Sequence, residues 1–102
     1  MLIVQVELEN FKSYAHAIIP VEPGTNAIVG ANGAGKSSLL EAVGLCLFDA
    51  TPVGFSYASM LREGTRSGRV VVSILSAMDE RLYEIERGFN ERTTTRYRVY
   101  DV

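Results

Sequence analysis

Hydrophobic and polar positions alternate from the first residues onward. Leu2, Val4, Val6 and Leu8 are set off by Gln5, Glu7 and Glu9, a period of two that predicts a half-buried β-strand. A polar connection over Asn10–Tyr14 leads to a second strand over Ala15–Val21, ended by the turn dipeptide Pro23-Gly24. Thr25-Asn26-Ala27-Ile28-Val29 is a third, short apolar run. From Ser38 to Phe48 the pattern changes to apolar on almost every side, interrupted only by Glu41 and Gly44. That predicts a helix buried between layers and closed by Asp49 and Pro52. Residues 49–68 are irregular, punctuated by Pro52, Gly54, Gly64 and Gly68, with one helical turn around Ser59–Glu63 stopping at Gly64. Strand-like runs then follow over Val70–Met78, Arg81–Phe89 and Thr93–Val102. The links between them, Asp79-Glu80 and Asn90-Glu91-Arg92, are short enough to make an antiparallel meander.

Composition narrows the classes. A chain of 102 residues with 47% hydrophobic and 22% charged residues is globular and makes at most one small domain. A net charge of −2 carries no global nucleic-acid signal. The charge is uneven, however: residues 1–61 hold Lys12 and Lys36 against five acids, and residues 62–102 hold eight arginines against seven acids. One cysteine, Cys46, and one histidine, His16, exclude a disulfide framework and a Cys/His metal cluster. Cys46 reads as a small core residue and His16 as a surface side chain. The first residues lack the basic region of a secretion signal, and the longest apolar run is too short to span a bilayer. A reduced, cytoplasmic protein with no membrane partner is the expectation.

Between the third strand and the helix stands Gly30-Ala31-Asn32-Gly33-Ala34-Gly35-Lys36-Ser37, the G-x-x-x-x-G-K-S phosphate-binding P-loop. Strand, glycine loop and helix come in the order that the motif requires. Backbone N–H groups must turn inward around a phosphate, and a Cβ at Gly33 or Gly35 would crowd that approach. Lys36 supplies a mobile charge for the β- and γ-phosphates, the Ser37 hydroxyl is suited to Mg²⁺, and the positive end of the helix dipole completes an anion site. The implied ligand is ATP with Mg²⁺. Hydrolysis also needs an acidic residue at the end of a further strand. Past Lys36 only Asp79-Glu80 resembles one, and its spacing reads better as a hairpin turn. The chain is therefore expected to be the first part of a larger α/β P-loop domain. Its parts would be a nucleotide-binding core over 1–48, a connection over 49–68 and a β-subdomain over 69–102.

The segment Val6-Glu7-Leu8-Glu9-Asn10-Phe11-Lys12-Ser13-Tyr14, followed by a strand and by Gly30 to Val43, resembles the N-terminal lobe of the SMC-like ABC ATPases. The pattern is nearest to the double-strand-break repair ATPases of the SbcC type, with RecF and RecN as cousins, and is strongest over residues 1–48. The resemblance implies an ATPase whose two halves are separated by a long coiled coil and which acts on DNA. A C-terminal lobe, a second head and a nuclease subunit would be its partners. It also implies roles for single residues: Ser38 at the α-phosphate, Asn32 near the γ-phosphate, Lys12 and Ser13 lining the phosphates or base. Gly30, Gly33, Ala34 and Gly35 complete the loop. The glutamine loop, signature motif, acidic pair and switch histidine of the family would lie past Val102, so hydrolysis by this chain alone is not expected.

Some side chains fit two roles. Phe11 suits the core or a nucleotide pocket, and Tyr14 an adenine stack or an ordinary interface. The arginines Arg81, Arg87, Arg92, Arg96 and Arg98 suit a DNA-facing surface or, more readily, charged strands that resist edge-to-edge pairing. Two other functions compete with the repair ATPase: the ATPase subunit of a transporter, and a nucleotide-binding fragment without turnover.

Overall fold

The computed structural model describes residues 2–21, 33–51, 54–95 and 97–101, with residues 33–39 as helical backbone. The expected third strand, the Pro23-Gly24 turn, Pro52, Arg96 and the first half of the P-loop lie outside the described residues. Strands β1 (Leu2–Phe11) and β2 (Tyr14–Pro20) come first, then helices α1 (Gly33–Phe48) and α2 (Tyr57–Met60). Strands β3 (Ser67–Leu75), β4 (Leu82–Asn90) and β5 (Arg98–Asp101) complete the order. Among the described residues all five strands form one sheet, β2-β1-β3-β4-β5, with antiparallel neighbours throughout. The expected meander is therefore continued by the N-terminal hairpin, because β1 pairs with β3.

Register explains which residues are buried. Val6 stands opposite Ile19 and Val72, and Leu8 opposite Ala17 and Val70. On this face α1 lays down Ala42, Leu45 and Cys46, all fully buried. The first strand is not a simple alternation. Its pairing with β3 runs Leu2 to Leu75 and Ile3 to Ile74, then jumps to Gln5 and Ser73, leaving Val4 as a bulge. A bulge shifts the pleat by one residue. Leu2 thus falls on the face away from the core, 38% exposed, and Ile3 packs against the core in its place.

The expected polar connection after β1 contracts to two residues, Lys12 and Ser13, since Phe11 still pairs with Tyr14. Burial of Phe11 drives this. It is fully buried and meets Phe89 edge-on, with centroids 6.0 Å apart and planes at 69°. Such a pair adds about 0.5–1.5 kcal/mol beyond its buried area. Of the two roles open to Phe11, the core is the one it fills, and Tyr14 packs half-buried against the same cluster.

Helix α2 lies two residues earlier than expected at its start. Ser56 caps it, accepting from the Ser59 N–H while the Ser59 hydroxyl accepts from the Ser56 N–H. It ends because Leu61 leaves to bridge Phe11: the Lys12 N–H donates to the Met60 carbonyl at 2.8 Å, and the Arg62 N–H to the Asn10 carbonyl at 2.9 Å. Strand β5 is shorter than the run Thr93–Val102. Asn90 Oδ1 accepts the N–H groups of Arg92 and Thr93 at 2.8 and 2.9 Å, and Thr95 bonds back to Gly88, so the chain curls before it extends. Asp79-Glu80 is the hairpin turn it promised to be, with the Asp79 carboxylate accepting from the Arg81 N–H at 3.1 Å.

Among the described side chains, helix α1 buries one stripe. Leu40 and Phe48, on its other side, are 56% and 74% exposed. Asp49 closes the helix as expected, in the left-handed region at φ 53°.

Close approach of β1 to the start of β3 requires glycine at one place. A Cβ on Gly68 would stand 2.8 Å from the Glu9 carbonyl oxygen, 2.8 Å from the Phe89 ring and 3.0 Å from the Asn10 carbonyl oxygen. Two of these three are backbone atoms of a paired strand and have little room to yield. Gly68→Ala should therefore lower stability by about 1–3 kcal/mol in urea denaturation, the usual range for overpacking. A midpoint equal to that of the wild type would refute this account of the β1–β3 contact.

Candidate nucleotide-binding site

The second half of the P-loop, from Gly33 to Lys36 and Ser37, forms the opening of α1 together with Ser38. The helix thus begins five residues before the Ser38 expected from the pattern. Gly30, Ala31 and Asn32 lie outside the described residues, and from Gly33 to Ser38 the backbone alone is described. Starting the helix at Gly33 leaves the N–H groups of Gly33, Ala34 and Gly35, its first three positions, without intrahelical acceptors. Free donors at the positive end of a helix dipole suit a phosphate. The chemistry of the set (backbone N–H groups, one lysine, two serine hydroxyls) fits a triphosphate and its Mg²⁺.

Lys12 and Ser13 form the turn between β1 and β2. Lys12 is held at φ 52° and Asn10 at φ 53°, left-handed values that cost an ordinary side chain about 1 kcal/mol or more. The bonds to Met60 and from Arg62 hold this corner in place. Asn10 Nδ2 donates to the Ser67 carbonyl at 3.1 Å and ties the corner to β3. Lys12 Nζ makes an ion pair with Glu41 of α1 and lies 5.5 Å from the centre of the Phe55 ring. Ser13 is exposed beside it. A cleft of about 560 Å³ brings Lys12 and Ser13 together with Ser59, Leu61, Arg62 and Glu63. Sequence reasoning missed Glu41 and Phe55. A single carboxylate in an otherwise apolar helix was the available signal for the first, and Phe55 gave none.

The far end of α1 is anchored to β4. Arg87, expected on an exposed strand face, is instead 7% exposed. Its Nε donates to the Cys46 carbonyl at 2.9 Å and its Nη1 to the Thr95 carbonyl at 3.0 Å, with the Tyr97 ring 5.5 Å away. A cation on the last carbonyls of a helix meets the negative end of its dipole. Asp49, just past this end, accepts from the Tyr57 hydroxyl at 2.9 Å and the Thr94 hydroxyl at 3.1 Å. Of the other arginines, Arg81 pairs with Asp101 at 2.6 Å, while Arg92 and Arg98 are exposed.

The sheet face away from α1 carries charges that satisfy one another. Arg69 reaches Glu86 at 2.8 Å, Glu9 at 3.0 Å and Glu7 at 3.6 Å, and His16, 56% exposed, lies 2.7 Å from Glu7. The Arg69 bond holds the Glu86 carboxyl below its usual range. This network knits β2, β1, β3 and β4 together and leaves no unpaired cation among its members.

With this geometry in view, the family model described as an AAA domain matches residues 5–100. The chain belongs to the AAA domain family. This AAA domain is 41% identical over 88 residues to a DNA double-strand break repair Rad50 ATPase of Methanopyrus kandleri, a match over 86% of this chain and 10% of that protein. It is 33% identical over 99 residues to the DNA replication and repair protein RecF of Streptomyces avermitilis, over 97% of this chain and 26% of that one. The solved structure of the recombination mediator protein RecF-ATPrS in the RecFOR pathway superposes with a TM-score of 0.79 at 23% identity, covering 98% of this chain and 27% of that one. The fold is accordingly that of the N-terminal lobe of a P-loop ATPase, and the likeness to SMC-like ATPases holds. The AAA domain spans about a tenth of the first relative and about a quarter of the second.

Cys46 shows how closed the end of α1 is. Its thiol is fully buried, 3.2 Å from the Ile85 carbonyl and 3.5 Å from that of Val70, and burial pushes it from 9.0 up to about 11. At pH 8 the native thiolate fraction should be about a hundredfold below that of the unfolded chain. Alkylation by iodoacetamide should slow by at least that factor relative to protein in urea. Because the folded value lies above the unfolded one, the contribution to stability is intact below pH 9 and lost as pH rises through 11. Equal alkylation rates with and without urea would contradict this burial.

Proposed function

We propose that this chain is the nucleotide-binding N-terminal lobe of a DNA-repair ATPase, binding ATP and Mg²⁺ through its P-loop. The observation that carries the reading is that Gly33 to Ser37 of the G-x-x-x-x-G-K-S sequence open α1, in a chain matched to the AAA domain over residues 5–100. In this reading the backbone of Gly30, Gly33, Ala34 and Gly35 cradles the β-phosphate. Lys36 serves the β/γ-phosphates, Ser37 the metal, Ser38 the α-phosphate, and Asn32 lies near the γ-phosphate. Lys12 and Ser13 border the phosphates or base from the β1–β2 turn. Residues 1–48 form the nucleotide core, 49–68 the connection and 69–102 the β-subdomain.

The repair ATPases among the relatives favour this over a transporter subunit. Turnover would need a C-terminal lobe and a second head, with DNA as the polymer acted on, a nuclease subunit as a further partner and the cytoplasm as the setting. No described helix is long and apolar enough to cross a membrane. What this chain does on its own is bind and orient. Free N–H groups and Lys36 neutralise phosphate charge, and Mg²⁺ when bound would polarise the γ-phosphoryl group. Positioning of the attacking water is a separate task. Among the described residues Asp79-Glu80 is the sole acidic pair after the P-loop, and it serves a turn.

Lys36→Ala should weaken ATP binding more than tenfold, over about 1.4 kcal/mol, as one charge-assisted contact is lost. Calorimetry giving equal affinities for the two proteins would sink the proposal. The isolated chain should bind ATP weakly and hydrolyse it negligibly. Robust Mg²⁺-dependent turnover by the pure monomer, abolished by Lys36→Ala, would show that these residues are a complete catalytic site.

A further inference from the structure

Glu41 is the one charged residue of α1 whose side chain is described, and it spends that charge on Lys12. Both partners are largely withdrawn from solvent, with side chains 23% and 19% exposed for Lys12 and Glu41. Glu41 follows Ser37 by four residues and Ser38 by three. It therefore lies on the same flank of the helix, about 6 Å further along the axis. The Lys12 ammonium is accordingly parked one helical turn from the part of the P-loop that would meet the phosphates. Its backbone has little freedom, fixed at φ 52° and bonded to Met60, so only the four-carbon side chain moves. An ammonium has three rotatable donors and no fixed fork, so it exchanges one anion for another without a change of fold.

We propose that Glu41 sets nucleotide affinity by holding Lys12 in reserve, and that the nucleotide phosphates compete with the Glu41 carboxylate for the Lys12 ammonium. Glu41 is a positioning residue here, acting on the ligand through Lys12. The proposal rests on the nucleotide reading above. A single ion pair at a partly open flank is weak enough for a polyanion to displace, yet its rupture must be subtracted from the binding of every nucleotide. Relieving Lys12 of its partner should then tighten binding by about fivefold, the factor by which a pair of this kind depletes the free ammonium.

The test is a double-mutant cycle on the full chain, titrating the fluorescent probe mant-ATP into wild type, Glu41→Gln, Lys12→Met and the double variant. Glu41→Gln should bind about fivefold tighter than wild type. In the Lys12→Met background the same change should have no effect. Glu41→Ala, expected to shift affinity in the same direction, serves if the glutamine variant fails to fold. A Glu41→Gln affinity equal to or weaker than wild type would overturn the proposal, since a purely structural pair would lower the melting temperature without tightening the ligand. Equal tightening in both backgrounds would overturn it too, by showing only the removal of a nearby negative charge. A wild type that does not bind the probe at all would reject the nucleotide reading itself and this inference with it.

Discussion

The seam between α1 and the sheet carries the rest of the structure. Ala42, Leu45 and Cys46 settle on Val6, Leu8, Val70 and Val72, all fully buried, and the sheet offers them a face because the β1 register places those valines and that leucine together. Without the helix, this apolar face would be wet. Without the sheet, a helix opened by two glycines would lack the packing that offsets their poor helix propensity, about 1 kcal/mol each. The same seam decides the chemistry, since it fixes where the free N–H groups of the P-loop helix point and which strand turn stands beside them.

Two ionic contacts refine that seam, and they work differently. Arg87 is buried and meets carbonyl oxygens, so it gives up water for fixed dipoles at the helix end, with no carboxylate paired to it among the described residues. Lys12 meets a full negative charge at a partly open flank. The first contact is suited to permanence, the second to exchange. On the opposite face, Arg69 is shared among three glutamates and serves to join strands.

Period and motif made much of this legible in advance. Strands β1 and β2, the apolar helix, the meander and the P-loop follow from local pattern, and the comparisons agree with the family that Asn10-Phe11-Lys12-Ser13 and Gly30–Val43 suggested. What pattern could not reveal were facts of pairing between distant segments. The bulge at Val4 arises from alignment with β3, and it moves Leu2 out and Ile3 in. Helix α2 stops at Met60 because Leu61 bridges Phe11, fifty residues earlier, and not because Gly64 intervenes. Arg87 looked like one of several surface arginines, since only the folded chain brings the end of α1 to it. Lys12 could be linked to phosphate by resemblance, but its bond to Glu41 joins positions 29 apart and leaves no trace in local sequence.

Helix α1, 16 residues long, is also a strut. At about 1.5 Å per residue it spans roughly 24 Å, stiff over that length because its hydrogen bonds run along the axis. One end presents the P-loop, its flank grips the β1–β2 corner, and its other end is pinned by Arg87 and neighboured by Asp49, which also holds Tyr57 and Thr94. A displacement at the P-loop end therefore cannot stay local. It is delivered, with little give, to the junction where α2 and the β4–β5 connection meet, at the arginine end of the strut.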